Sequence, residues 1–594
     1  MRRPLFLVLL LALAGCAGPA PVEPGAPVER VPEGKADDFY SDVAAEFEVR
    51  GELTVEAAAD ASAAERREAA QRRVDAAVLY LTTFVTKKID GFFTNLEYGG
   101  HAAMVRNRTS ETLELIGGAP ESDDALRLRA ANELGFEELD AVLDRRAAEG
   151  LVAGRPFETI EEVDAVRYVG PVALDQLLEL GQAAFGAEGG ELRVRFAVQL
   201  AGPRNLPALL GREFDLRMPA GATSDGEGSL STVRSFDPDT YTGELEAVPC
   251  TLESVPEARN SFPAYAAFFE DGVFDITVFQ GHEYNEFRAD LWEAMIAYHL
   301  LVFQNGFRAD ELDLLDAPDA FVQSQLNEAL GEQAAELSDL VDQVARLHPD
   351  SGPLVGSIVA DGAPVRVEVR IFHSEMFRED RAGQRQRALD EIAGRDVFFY
   401  NGHAGPWYGF YLDAAGAAEV REDDFATAAF TDRQQLFVAN GCQTYSQYAD
   451  MVYAHPAKDE SNLDVITTVN FSYGEGSDML LGALVQTDGA GNHVAWSYGD
   501  LIRAFNEIQI NEEKQVFYGV TGIDGNARLH PYAALDRVGD ACSWATECGD
   551  PNGNVCAGTC GAVALDAAAC PEGTVYSRFA NGDNVIQGGA CFAR

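Results

Sequence analysis

The sequence predicts an α/β protein whose main unit is a mainly parallel sheet with helices on both faces. It is accompanied by a helical segment, a β-rich segment and a small cysteine-rich tail. Three observations carry this. Over residues 270–535 short apolar runs alternate with helical stretches, the pattern of strands joined by helical crossovers. At Glu191 the hydrophobic period switches toward two, through Leu192-Arg193-Val194-Arg195-Phe196-Ala197-Val198. Finally, six of nine cysteines, Cys542, Cys548, Cys556, Cys560, Cys570 and Cys591, crowd into the tail.

At the N-terminus, Arg2 and Arg3 precede the apolar stretch Leu5 to Leu13, too short for a membrane-spanning helix and typical of a signal peptide over residues 1–15. The following Leu13-Ala14-Gly15-Cys16 resembles the lipobox of bacterial lipoproteins. That resemblance implies cleavage before Cys16, lipid on its sulfur and anchorage in the cell envelope. Ala17 at the next position, where an aspartate would favour the inner membrane, points by the same resemblance to the outer membrane. Residues 16–36 are rich in Pro, Gly and Ala and read as a flexible tether.

Composition limits the partners. With 45 basic and 96 acidic residues the formal charge is −51, a field that repels phosphate backbones and anionic lipid. Nucleic acid is therefore not expected as a partner of the whole molecule. The 594 residues, 47% of them hydrophobic, suffice for several cores.

Residues 37–115 read as a helical domain, with Val74, Val78, Leu81 and Val85 at helical spacing after Glu65-Arg66-Arg67-Glu68. Within residues 121–185, the pattern from Ala147 to Leu177, centred on Val169-Gly170-Pro171, resembles the helix-hairpin-helix modules of DNA-repair and DNA-uptake proteins. Such hairpins grip a phosphate through backbone N–H groups. Here six Arg and no Lys stand against fifteen Asp or Glu between Glu121 and Leu180, so packing or protein docking is the expected use. The β-rich segment, residues 190–265, carries no evident chemistry.

In the 270–535 unit the expected strands are Val273–Gln280, Val365–Phe372, Asp396–Tyr400, Gln435–Ala439 and Asp464–Phe471. One helix between the first two presents Phe287, Leu291, Ala294, Tyr298 and Leu301, and another spans Gln384–Ile392. Ligands in such sheets collect at the C-terminal strand ends. Two ends open through glycine into a residue of catalytic type: Phe399-Tyr400-Asn401-Gly402-His403-Ala404-Gly405 and Val438-Ala439-Asn440-Gly441-Cys442. Neighbouring parallel strands would bring an imidazole base to a thiol. The alternatives are an inert buried Cys442 or a disulfide from Cys442 to Cys250. His282 lacks a second histidine at helical spacing and reads as a loop-facing polar residue, not a metal ligand. No cofactor and no metal site is expected.

The two strand ends resemble the clan CD cysteine peptidases, the caspase and gingipain group. The resemblance implies a caspase-like fold, Cys442 as nucleophile, His403 as general base, and an oxyanion hole from the backbone N–H groups of Cys442 and Ala404. Ala404 departs from the family's usual glycine. Together with Gly522-Ile523-Asp524-Gly525 and His530-Pro531-Tyr532, the stretch also looks like a group of uncharacterised bacterial lipoproteins of similar length, which brings no activity with it. The resemblance implies a peptide or protein as substrate, or as binding partner on an inactive scaffold.

In residues 540–594 an even number of cysteines in an exported, Gly-rich segment implies three disulfides; spacings unlike paired CxxC knuckles argue against zinc. The N-terminal reading makes a direct prediction. Cys16→Ser should move the protein from the membrane pellet to the soluble fraction, and membrane partitioning equal to the parent would refute lipidation.

Overall fold

A computed structural model of the chain describes residues 38–55, 63–89, 103–106, 114–116, 123–185, 192–225, 236–282, 288–405, 409–412, 419–472, 476–507, 515–523, 526–550, 552–578 and 588–594. The signal peptide, Cys16, the tether and Phe287 lie outside them.

The first sheet has six strands: β1 (Ala44–Val55), β2 (Met104–Val105), β3 (Glu114–Ile116), β4 (Leu192–Pro203), β5 (Glu213–Pro219) and β6 (Leu245–Ser254). Its order is β2-β4-β1-β6-β5, with β3 also on β4, and every pairing is antiparallel. Alternation in β4 sends Val194, Phe196, Val198 and Leu200 into one core, where they meet Val74, Ala77, Leu81 and Val85 of the helix Ala63–Lys87. Among the described residues the N-terminal segment is thus one helix on a sheet, not a helical domain. Helical spacing was correctly read over residues 63–87, but the alternation in β1 was missed.

Between β3 and β4 sit five helices, Asp123–Glu133, Phe136–Asp140, Arg145–Gly154, Ile160–Asp164 and Pro171–Phe185, around a core of their own that includes Leu139, Leu151, Val163 and Leu177. Val169-Gly170-Pro171 forms the turn into the last of them. Tyr168, just before it, takes the left-handed conformation at φ 73° and lies under the guanidinium groups of Arg146 and Arg167.

The second sheet comprises β7 (Val273–Gln280), β8 (Leu354–Ala360), β9 (Ala363–His373), β10 (Val397–Asn401), β13 (Gln435–Asn440), β14 (Leu463–Thr468) and β15 (Tyr518–Thr521), in the order β15-β14-β13-β10-β7-β9-β8. A two-stranded ribbon, β11 (Phe410–Tyr411) with β12 (Glu419–Val420), lies beside it. The pairs β7/β9, β7/β10, β10/β13 and β13/β14 are parallel, whereas both edges, β8 and β15, run antiparallel. The strands β10, β13, β14 and β15 are buried on both faces, because a period of two divides their side chains between two cores. Val397, Phe399, Leu436 and Val438 join one core with the helix Ala289–His299, while Phe398, Tyr400, Phe437 and Ala439 join the other with the helices Arg381–Gly394 and Tyr448–Tyr453.

These pairings correct the expectation of a mainly parallel, caspase-like sheet. Eleven of the fifteen strand pairings among the described residues are antiparallel. The protein is a mixed α/β structure with several antiparallel sheets. Short apolar runs carry no information about direction, and the antiparallel sheets draw on residues the alternation argument ignored.

The tail forms an antiparallel sheet, β16 (Asn554–Cys556), β17 (Cys560–Ala564), β18 (Thr574–Arg578) and β19 (Gly589–Ala593), in the order β16-β17-β19-β18. Three disulfides close it, Cys542–Cys556, Cys548–Cys560 and Cys570–Cys591, in keeping with the expected pairing among the six. The tail docks on residues 526–533: Leu529 bridges Ala564, and the His530 N–H donates to the Val563 carbonyl at 3.0 Å. No described helix is long and apolar enough to cross a membrane.

Beneath the tail's docking segment, His493 Nδ1 pairs with the Tyr532 hydroxyl at 2.5 Å and Nε2 with the Leu484 carbonyl at 3.0 Å. Burial lowers the pKa of both His493 and His530 from the usual 6.5 to about 4. The unfolded chain therefore binds protons that the native state refuses. Stability from these two groups is complete above about pH 6.5 and is lost as pH falls toward 4. His493→Gln should flatten the decline of the denaturant midpoint between pH 7.5 and pH 5; an unchanged slope would refute this assignment.

Candidate active site

Three adjacent parallel strands end in the same way, with an amide residue, a glycine and then a histidine or cysteine. They are Gln280-Gly281-His282 on β7, Asn401-Gly402-His403 on β10 and Asn440-Gly441-Cys442 on β13. Pairing puts Gln280, Asn401 and Asn440 level with one another, so their side chains share a face. Asn401 Nδ2 donates to Gln280 Oε1 at 2.6 Å, and Asn440 Nδ2 donates to Asn401 Oδ1 at 3.0 Å. Asn440 Oδ1 in turn accepts from Ser472 Oγ at 2.5 Å and from Tyr518 Oη at 2.8 Å. A buried hydrogen-bonded row thus spans the sheet one residue before each glycine. At its other end Gln280 is level with His373. Gln280 Nε2 and both His373 ring nitrogens lack hydrogen-bond partners among the described residues, and burial drives the His373 pKa down to about 3.

The glycines let the turns approach closely. A Cβ on Gly441 would sit 2.6 Å from Ala404 Cβ and 2.8 Å from the Gly402 carbonyl. The methyl of Ala404 therefore occupies space that Gly441 leaves open. The described non-glycine residues with positive φ are Tyr168, Arg288, Asp361 and Gln443, so Ala404 adopts no conformation reserved for glycine.

His403 and Cys442 leave adjacent, in-register parallel strands, and the Gly402 N–H donates to the Asn440 carbonyl at 3.1 Å. Tyr400 Oη holds the turn at His403 by donating to the carbonyls of His403 at 2.5 Å and Tyr411 at 2.9 Å. On the Cys442 side, Thr468 Oγ1 donates to the Gly441 carbonyl and Thr444 Oγ1 to the Ala439 carbonyl at 2.7 Å. Gln443 takes φ 58°, and its N–H donates to the Asn470 carbonyl at 3.0 Å. Strain of this kind clusters at functional turns. Cys442 Sγ lies 3.7 Å from the Ser472 carbonyl oxygen. Cys442 and His403 are 3% and 8% exposed, so the site is closed.

Cys250 is free and buried in the first sheet, so it does not pair with Cys442, and its pKa is pushed up to about 12 by burial. His282, read from the sequence as loop-facing, instead belongs to a buried polar cluster. Its Nδ1 is 3.3 Å from Ser374 Oγ and 3.8 Å from Glu375 Oε1, while Arg288 pairs with Asp290 at 2.7 Å and with Glu375 at 2.9 Å. Burial leads the lowering of its pKa. The only grouping with metal-ligand geometry among the described residues is Cys542, Cys548 and Cys560, whose sulfurs are committed to disulfides.

Sequence reasoning found His403 and Cys442 but missed the amide row, although the repeated amide-glycine step was its signal. The chain matches no known family model, no curated protein and no solved structure.

The row has a measurable consequence. Asn401→Leu removes the donor to Gln280 and the acceptor for Asn440, leaving both partly unsatisfied in the interior. Such a loss costs about 2–4 kcal/mol. Chemical denaturation should show it, and a loss below about 1 kcal/mol would mean that the row contributes little.

Proposed function

We propose that the chain is an exported, lipid-anchored cysteine peptidase of the cell envelope. Cys442 attacks a peptide carbonyl, and His403 accepts the thiol proton and returns it to the departing amine. One observation carries this reading: a base and a nucleophile follow matching amide-glycine ends of neighbouring parallel strands. The resemblance of these two strand ends to clan CD cysteine peptidases supports it. So does the backbone of Ala404, which needs no glycine-only conformation. The N–H groups of Cys442 and Ala404 are the oxyanion donors in this reading. The anchor rests on the lipobox resemblance at Cys16, and the acidic surface argues for peptide over nucleic acid.

A second reading, a binding or adhesion lipoprotein without activity, is favoured by the burial of the sulfur.

The test is hydrolysis of a fluorogenic peptide library. Activity should fall by at least about 10³-fold in Cys442→Ala and in His403→Ala, with unchanged circular dichroism. Reduced protein that alkylates at Cys442 yet cleaves no member of the library would favour the binding reading.

A further inference from the structure

The turn that presents Cys442 is gripped by a sheet that contributes no chemistry to it. Met104 and Arg106 stand at the β2 edge of the first sheet, and Gln443 Nε2 donates to Met104 Sδ at 3.3 Å. Arg106, 1% exposed, donates through its guanidinium to Asp450 Oδ1 at 3.0 Å and lies 3.9 Å from Glu46 Oε1. Tyr445, three residues beyond Cys442, donates its hydroxyl to that same Glu46 oxygen at 2.5 Å. Around these polar groups, Phe39, Ala44, Met104 and Ala201 from the N-terminal side pack with Tyr445, Val469 and Phe517 from the second sheet.

Burying one guanidinium between two carboxylates is expensive, and apolar residues of similar volume often serve stability as well or better. What an apolar replacement cannot supply is direction. The ion cluster and the tyrosine hydroxyl fix where the segment from Gln443 to Asp450 lies, and Gln443 is the residue in the sparsely populated left-handed region. A non-glycine residue persists there only when its surroundings overdetermine it. The constraint reaches Cys442 through one peptide bond.

We propose that Glu46, Arg106 and Tyr445 are positioning residues for Cys442, so that the first sheet sets the direction of the sulfur relative to His403. This rests on the peptidase reading for its purpose, but its effect is readable without peptidase activity.

The test uses the full chain carrying Cys250→Ala, with Cys442 kept reduced by a dithiol. Alkylation of Cys442 by iodoacetamide is followed by peptide mass spectrometry from pH 5 to pH 9. Arg106→Met and Tyr445→Phe should slow alkylation at pH 7 by roughly tenfold and displace the midpoint of the rate against pH, because the thiol loses its set relation to the imidazole. Tyr445→Phe removes a single hydroxyl and decides the matter should Arg106→Met fail to fold. Parental rate and pH profile in Tyr445→Phe overturn the proposal. His403→Ala in the same background separates the two readings: an unmoved profile there defeats the Cys-His dyad, while the effect of Tyr445→Phe still decides the clamp.

Discussion

The hydrogen bond from Asn440 to Asn401 is the constraint on which the arrangement of the strand ends depends. A parallel sheet buried on both faces offers little to fix where its strands stop, because apolar side chains tolerate sliding better than polar ones do. Amides inside the sheet change this, since a shift by one residue would send each to the opposite core and strand its donors and acceptors. The row from Gln280 to Tyr518 thereby locks the level at which three strands turn through glycine. Everything of chemical interest follows within two residues of that level. A few buried hydrogen bonds, each worth about 1 kcal/mol net, have a structural effect out of proportion to their energy because their absence would cost more than their presence contributes.

Much of this was legible in the sequence, and what was not had physical reasons. Val273–Gln280 was read to the residue, and the strand ending at Asn440 was missed by one position, because fully buried strands are compact apolar runs bounded by glycine. Strand direction was not legible. The second sheet is parallel at its centre and antiparallel at β8 and β15, and nothing in Leu354–Ala360 or Tyr518–Thr521 announces its sense. β1 escaped for another reason. Its residues alternate Phe47, Val49, Gly51, Leu53 and Val55, but its partners β4 and β6 are remote in sequence, and the adjacent helix dominated the local pattern.

At the site, the residue types that advertise chemistry were found and those that arrange it were not. His403 and Cys442 follow strand ends whose apolar run and glycine are visible in the sequence. Asn401 and Asn440 stand in the same motifs, but asparagine before glycine is also the ordinary signature of a turn. Their burial and mutual hydrogen bonds are tertiary facts. Arg106 and Glu46 were beyond reach altogether. An arginine in so acidic a chain reads as surface, and only the meeting of two sheets reveals it as one of the largest fully buried side chains.

The way the first sheet is threaded has a consequence for the order of folding. β1 finds its partners only after five helices with a separate core have been inserted between β3 and β4. Tyr40 pairs with Val520, and Ser41 donates to the Tyr518 carbonyl at 2.6 Å. A chain made N-terminus first therefore presents strands that must wait for most of the polypeptide to follow. The helical insert can collapse on its own contacts, whereas the sheets close only once residues near 520 are made. Such threading ties the docking of the leading segment to nearly completed synthesis, with the short, cross-linked tail the last part to settle on the finished surface.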